Sequence, residues 1–153
     1  MKNTILAQGG LPQEPRQREA RTTQADIQPG MLVVLSGGLF IKHNVAGQGA
    51  DFTIAKENSL GQDKVSTVYA AQDTVFSYEP QPNVLFNVRV AASQNITAVG
   101  TPLTSNGAGL LKIAATNGTE EVLFYADEVV NVGAGGAGTL VRARVAARGF
   151  AGV

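Results

Sequence analysis

Residues 96–112, with the sequence ITAVGTPLTSNGAGLLK, carry the pattern that decides the fold. The stretch opens with apolar residues, turns at Gly100-Thr101-Pro102, and becomes apolar again after Ser-Asn-Gly-Ala-Gly. Pro102 fixes φ and withholds a ladder donor, and glycines 100, 107 and 109 permit positive φ. Asn106-Gly107 is typical of a tight reversal. The stretch therefore predicts short strands joined by turns, and none of its residues has a catalytic pattern.

Alternation on either side of this stretch also indicates strands. Residues 84–92 place Val84, Phe86, Val88 and Val90 on one face, which is a period of two. Residues 139–147 alternate in the same way. Further short strands are predicted at residues 31–35, 39–41, 52–55, 65–69, 74–78 and 121–132, with 125–129 also compatible with a helical turn. The prediction is an all-β fold, a small β-barrel or sandwich of short antiparallel strands with Gly/Pro-rich turns.

Residues 1–25 differ in composition from the rest of the chain. After Ile5-Leu6 they read QGGLPQEPRQREARTTQA, which has no apolar period. Such a segment buries too little apolar surface to offset the entropy of ordering. We therefore predict a flexible N-terminal arm at 1–25, either frayed or ordered on a partner, and a β-rich domain at 26–153. Removing residues 1–25 is then expected to leave the domain folded.

Composition limits the functional classes. The chain has 153 residues, 44% of them apolar and 16% charged, which suits a single domain with a core. The formal net charge is zero, so the positive surplus that nucleic-acid binding requires is missing. Without cysteine there is no disulfide, thiolate metal site or cysteine nucleophile. No apolar run suits an export signal or a membrane span, so we expect cytoplasmic synthesis and no membrane partner.

The candidates for catalysis and metal binding are sparse. His43 is the only histidine, and no G-x-S-x-G elbow accompanies it. We interpret it as a surface or strand-end residue rather than a member of a Ser–His–Asp triad. The acidic pairs Glu120-Glu121 and Asp127-Glu128 lack the spacing of a calcium loop and are interpreted as solvated strand ends or turns. We predict no catalytic residue, no cofactor and no metal.

Two further patterns have alternative interpretations. Residues 133–138 match G-x-G-x-x-G, but the alternating residues that follow predict a strand rather than the helix a dinucleotide site needs, so we interpret them as a flexible connector. Arg142 and Arg144 share a strand face, with Arg148 and Arg89 nearby. They form either an ordinary polar face or a basic patch for an acidic protein surface. No aromatic residue interleaves with them to stack nucleic-acid bases.

The segment Ile27-x-Pro29-Gly30, followed by Gly100-x-x-Leu103-x-Ser105-x-Gly107-x-Gly109-x-Leu111, resembles the decoration (cement) proteins of tailed-bacteriophage capsids over about residues 26–146. The resemblance implies a protein on the outer capsid surface of the virion that bridges neighbouring major capsid subunits and stabilises the expanded head against the packaged genome. It also implies a homo-oligomer, with a trimer favoured over a dimer. The capsid-contact candidates are Arg16, Arg18, Arg21, Ile27 and Pro29.

Two other classes compete with this interpretation. One is a different virion binding module, such as a head-fibre base or tail component, or a carbohydrate-binding β-domain. Sugar sites usually use exposed aromatics, and this chain has no Trp and three Tyr. The other is an enzyme on a β-scaffold, which the single histidine and the absence of cysteine disfavour.

Overall fold

The computed structural model describes residues 2–7, 14–49, 51–61, 63–136 and 138–150. The predicted all-β fold is confirmed, since these ranges hold twelve strands and one short 3₁₀ turn at Ser59–Gly61. The strands are β1 (Gln17–Arg21), β2 (Leu32–Ser36), β3 (Leu39–Lys42), β4 (Phe52–Ala55), β5 (Thr74–Tyr78), β6 (Leu85–Val90), β7 (Gln94–Ile96), β8 (Pro102–Ser105), β9 (Leu111–Ile113), β10 (Glu121–Ala126), β11 (Val130–Val132) and β12 (Thr139–Phe150).

Five strands close into a barrel in the order β10-β12-β6-β9-β8. Its pairs are antiparallel except for β6 and β9, which meet in parallel at Val90 and Leu111. Near the start of β6 the neighbour is instead the N-terminal segment, where Ala7 N donates to Leu85 O at 3.0 Å and Asn87 N to Ile5 O at 2.8 Å. Residues 5–7 thus cover the part of β6 that β9 does not reach.

The other large unit is an open five-stranded sheet in the order β1-β5-β4-β2-β3. Its edge strands β1 and β3 approach each other at a single bridge between Thr22 and Phe40. The sheet is therefore curled but not closed along its length. We call this unit the open sheet. Strands β7 and β11 form a separate two-stranded ribbon.

The apolar side chains form two main clusters on opposite faces of the open sheet. Neighbouring residues divide between them, with Leu32 in the first cluster and Val33 in the second, as alternation along a strand requires. The first cluster joins the sheet to the barrel interior and includes Leu32, Phe52, Ile54, Phe86, Leu103, Phe124 and Val141. The second is smaller and contains Ile27, Val33, Phe40, Ala55, Tyr69 and Val75.

The alternation predicted for β6 and β12 is confirmed. Phe86, Val88 and Val90 are fully buried, as are Val141 and Ala143 on the paired strand. The strands predicted at residues 52–55 and 74–78 appear as β4 and β5. These segments could be identified because each has at least one face in a core.

The Asn106 turn is also as predicted. Asn106 Oδ1 accepts hydrogen bonds from Ala108 N at 2.8 Å and from Leu110 N at 3.1 Å, which reverses the chain between β8 and β9. Gly109 then has φ +77° and passes between Lys42 and the carbonyl of Leu32. A side chain at position 109 would meet both neighbours, so the turn is also the contact between the barrel and the open sheet.

Gly30 makes the second connection between the two units. Its φ is +90°, its N–H donates to Ala55 O at 2.7 Å, and its carbonyl accepts from Arg89 N at 2.8 Å. A Cβ at this position would lie 2.7 Å from Leu140 Cδ2. Only glycine combines this conformation with this contact.

Two predicted strands need correction. Residues 65–69 are not a strand; Thr67 N turns back to Lys64 O, and only Tyr69 bridges Ile27. The span 121–132 is two strands, β10 and β11, separated by a bend at Asp127-Glu128. In both cases a local turn interrupts a sequence of suitable β-propensity.

The predicted flexible arm also needs correction within the described residues. Ile5 is fully buried in the main cluster, and β1 pairs with β5 along its whole length, from Gln17↔Tyr78 to Arg21↔Thr74. Residues 8–13 lie outside the described residues. The described parts of 1–25 therefore belong to the fold, and their removal takes away a core side chain and a strand.

Candidate functional site

Strand β1 forms an edge of the open sheet. The residues that flank β1, Arg16 and Thr22, form backbone hydrogen bonds on the side of β5. Glu79 N donates to Arg16 O at 2.8 Å, and Thr22 N donates to Asp73 O at 3.0 Å. Because alternate residues of an antiparallel strand bond to the same neighbour, the backbone groups of Gln17 and Glu19 point the other way. In the described ranges the only backbone pairing between strands on that side is the Thr22–Phe40 bridge. We call Gln17–Arg21 the β1 edge.

The three candidate arginines flank the β1 edge. Arg16, Arg18 and Arg21 are exposed, and Arg18 Nε forms an ion pair with Glu79 Oε1. Arg16 and Arg18 share a face with Ala20, which packs against the second cluster, whereas Arg21 is on the opposite face. The arginines therefore border the free backbone on both faces instead of forming one patch.

The other two contact candidates are structural. Ile27 is fully buried in the second cluster, and its carbonyl accepts from Tyr69 N at 2.8 Å. Pro29 is buried, and its carbonyl accepts from Arg89 Nε at 2.7 Å. Neither side chain can reach a partner surface, which corrects their assignment as contacts. The Ile-x-Pro-Gly pattern signals the junction of the two units.

His43 follows β3 and so lies at a strand end, but it is not on the surface. Its side chain is buried, and Nδ1 lies 2.8 Å from the Oγ of the fully buried Ser105. Burial lowers the pKa of His43, and the charge of Glu121 opposes this shift. The pair has the spacing of a Ser–His dyad, but both groups are shielded from any substrate.

The acidic pairs are more tightly bonded than predicted. Asp127 pairs with Arg142 at 2.7 Å, while Glu128 pairs with Lys2 and accepts from Arg142 N at 2.7 Å. Burial raises the pKa of Glu128, but the hydrogen bonds and charges of Lys2 and Arg142 outweigh it and hold the pKa below its ordinary value. The pair lies in the bend after β10, as the interpretation of a strand end or turn requires, but its carboxylates are partly buried and ion-paired rather than simply solvated. Lys2 connects the N-terminal segment to the bend after β10.

Glu120 is bonded in a similar way. It forms an ion pair with Lys112 and accepts from Ala115 N at 2.7 Å. Burial raises the pKa of Glu120, and these two hydrogen bonds more than reverse the shift. Glu121 Oε2 accepts from Gly49 N at 2.8 Å. Among the residues that the structure describes, no group of three or more His, Cys, Asp or Glu is placed to hold a metal ion.

The four arginines considered as a basic patch do not act together. Arg142 is neutralised by Asp127, while the Arg89 guanidinium turns to three backbone carbonyls, those of Pro29, Val65 and Gly138. Arg144 lies opposite Tyr125 in the ladder between β10 and β12. The side chain of Arg148 lies outside the described residues. An ordinary polar face accounts for Arg142 and Arg144, and Arg89 has a separate environment.

The glycine-rich connector joins β11 to β12. Gly136 N donates to Gly133 O at 2.9 Å, which makes a turn, and Gly138 N donates to Val90 O at 2.9 Å. A strand follows, as predicted, and Ala137 lies outside the described residues. The loop therefore lacks the strand-to-helix setting of a dinucleotide site.

Comparison with known proteins adds no relative. No protein-family model matches the chain, and no curated protein matches it. In the described ranges no helix has the length and apolar character needed to cross a bilayer.

Proposed function

We propose that this protein is a non-enzymatic structural component of a phage virion that decorates the outer surface of the expanded capsid. In this role it bridges neighbouring major capsid subunits and stabilises the head against the packaged genome. The observation that carries the proposal is the β1 edge, a strand with outward backbone groups and exposed arginines on both faces. The motif resemblance at Ile27-x-Pro29-Gly30 and residues 100–111 supports the same class.

A free strand edge is suited to recognition by strand addition. An extended segment of a partner can pair with the backbone of Gln17 and Glu19, so the main chain supplies affinity and the flanking side chains supply selectivity. Arg16 and Arg21 are exposed beside this edge and favour an acidic partner surface. The partner proposed is the major capsid protein.

Weak individual contacts are sufficient for stable binding when the binding surface is repeated. A capsid offers the same surface many times, and an oligomer that engages several subunits gains affinity without new kinds of contact. We include a homo-oligomer in the proposal, with a trimer favoured over a dimer. Light scattering of the purified full chain measures this directly, and a monomeric mass at micromolar concentration would remove the oligomer from the proposal.

The first test of the function is copy number. Quantitative mass spectrometry of gradient-purified, DNA-filled virions should find this chain at near-equal abundance to the major capsid protein. A handful of copies would indicate a fibre or tail component instead. Complete absence from virions would overturn the proposal.

The second test concerns the β1 edge. The N–H of Glu19 points away from β5, so Glu19→Pro removes an outward donor without breaking the β1–β5 ladder. We expect this variant to bind expanded capsids at least tenfold less tightly, an estimate of roughly 1.4 kcal/mol or more for lost strand pairing. Glu19→Thr is the matched control, because it removes the charge and keeps the donor.

Both variants are first checked for an unchanged thermal transition. Binding is then measured by cosedimentation with capsids that lack this protein. If Glu19→Pro binds as tightly as the wild-type protein, the β1 edge is not the capsid contact. If Glu19→Thr is equally weak, the lost carboxylate explains the effect and strand addition is excluded.

A further inference from the structure

A cleft beside the barrel has features that the capsid role does not use. Its volume is about 960 Å³, and its walls come from the N-terminal segment, the stretch around 63–66 and the start of β12. This size is at the upper end of the ~300–1,000 Å³ typical of ligand pockets. Its lining includes Lys2, Asp63, Lys64, Val65, Arg89 and Leu140.

Arg89 is the most unusual of these residues. Its guanidinium donates to the carbonyls of Pro29, Val65 and Gly138 at 2.7, 2.6 and 2.5 Å, and it belongs to none of the ion pairs formed among the described residues. A guanidinium has five N–H donors, so two remain after these three bonds. The carbonyls fix the orientation of the fork but leave its charge uncompensated.

The other charges around the cleft leave a positive balance. Lys64 is exposed, and its side-chain nitrogen has no recorded partner among the described residues, whereas Lys2 is neutralised by Glu128. Asp63 is the one acidic residue of the lining. Its Oδ2 lies close to Gly61, at the end of the 3₁₀ turn. Arg89 and Lys64 together outweigh it.

We propose that this cleft binds an acidic polypeptide segment, with a carboxylate held by Arg89 and Lys64. Arg89 presents donors in a preset orientation, which suits the planar geometry of a carboxylate. Val65 and Leu140 supply an apolar wall for the body of the segment. The proposal does not depend on capsid binding, since no residue of the β1 edge lines the cleft.

A polypeptide suits the cleft better than a nucleic acid. The described lining has no aromatic side chain on which a base could stack, and the chain as a whole carries no positive surplus. A free inorganic anion would leave most of the volume and the apolar wall unused. An extended segment with acidic and apolar residues in alternation uses both.

The test is a binding measurement on the full chain. The probe is a fluorescein-labelled peptide of alternating glutamate and valine, followed by fluorescence anisotropy at low ionic strength. The matched control probe has glutamine in place of glutamate. We expect saturable binding of the acidic peptide that weakens with added salt, and at least tenfold weaker binding of the glutamine peptide.

Variants locate the site. Lys64→Ala should weaken binding roughly two- to fivefold, as expected for an exposed ion pair, and Lys64→Glu should weaken it about tenfold or more. Arg21→Ala is the control, since Arg21 is exposed but lies outside the cleft. Arg89→Lys tests whether the planar guanidinium is needed, but it also removes hydrogen bonds to backbone carbonyls. In wild-type protein the NMR signal of the Arg89 Nε–H should therefore shift with peptide and saturate at the same affinity.

Three results would overturn the proposal. One is unchanged affinity of Lys64→Glu together with an Arg89 signal that does not move. Another is equal binding of the acidic and glutamine peptides. The third is competition in which inorganic phosphate or a single-stranded oligonucleotide displaces the peptide and binds more tightly, because the cleft would then prefer a different class of anion.

Discussion

The barrel and the open sheet contain similar buried side chains, but they differ in whether every strand is paired on both sides. The barrel pairs each of its five strands on both sides, and its interior holds Phe86, Val88 and Phe124 fully buried. In the part of the chain that the structure describes, the two edge strands of the open sheet pair only at Thr22 and Phe40, and the second cluster beside them is smaller. Closure removes the unpaired backbone that attracts other strands, whereas an edge retains it. The barrel is therefore the fully paired unit, and the open sheet carries the edge on which the proposed capsid contact depends.

The largest expected effect comes from deleting residues 1–25. The deletion removes Ile5 from the main cluster and β1 from the open sheet, so both units are damaged at once. We expect a loss of the same order as the whole ~5–15 kcal/mol of a typical domain, and therefore no cooperative unfolding transition by circular dichroism. Ile5→Ala should cost about 2–5 kcal/mol. The exposed Asn3→Ala serves as control, and a deletion variant with a normal transition would contradict the role assigned to this segment.

The next prediction compares one phenylalanine from each unit. Phe124 and Phe40 are both almost fully buried, but Phe124 is inside the closed barrel and Phe40 is on edge strand β3. Phe124→Ala should cost about 4–5 kcal/mol and Phe40→Ala nearer 3 kcal/mol, because an edge relaxes around a cavity more easily. Urea denaturation measures both. If Phe40→Ala lowers the free energy of unfolding more than Phe124→Ala does, the barrel is not the more sensitive of the two units to loss of a buried side chain.

A smaller effect concerns a hydrogen bond in the second cluster. Tyr69 donates its hydroxyl to Lys56 O at 2.7 Å, so Tyr69→Phe should cost about 1 kcal/mol. Burial raises the pKa of Tyr69 to about 12. The folded protein thus keeps a proton that the unfolded chain loses, and stability falls as pH rises from 10 to about 12. Tyr69→Phe should reduce this alkaline loss, and Tyr78, whose pKa is also raised to about 12, should retain its part.

The smallest predicted effect is at acidic pH. Because burial lowers the pKa of His43 below 6.5, the unfolded chain takes up a proton that the folded protein does not. Stability should therefore begin to fall as pH drops below 6.5. His43→Asn should flatten the slope of unfolding free energy against pH just below 6.5. An unchanged slope would show that His43 is not the group responsible.

The two units also differ in how well their strands could be predicted from the sequence. Strands β6 and β12 were predictable because alternation along them matches burial on one face. Strand β1 was not, since four of its five residues are exposed and pairing with β5 supplies its structure. Ile5 gave only a two-residue apolar signal. No local pattern could have shown that it reaches the core.

The sites could not be predicted because they are formed by contacts between residues that are distant in the sequence. His43 lies at a strand end, which was one of its two predicted settings, but it is buried beside its partner Ser105. The cleft is assembled from separate stretches of the chain, and the three carbonyl partners that set Arg89 apart from Arg142 and Arg144 could not be read from the sequence. The motif at residues 27–30 lies at the junction of the two units, where Ile27 and Pro29 are buried.

Gly30 has a mechanical consequence. Its amide donates to the end of β4 and its carbonyl accepts from β6, so this one residue is held between the two units. A tensile load on the β1 edge would pass through β5 and β4 to this clamp and then into the closed barrel. A force applied at the β1 edge would thus be resisted by the most fully paired part of the molecule.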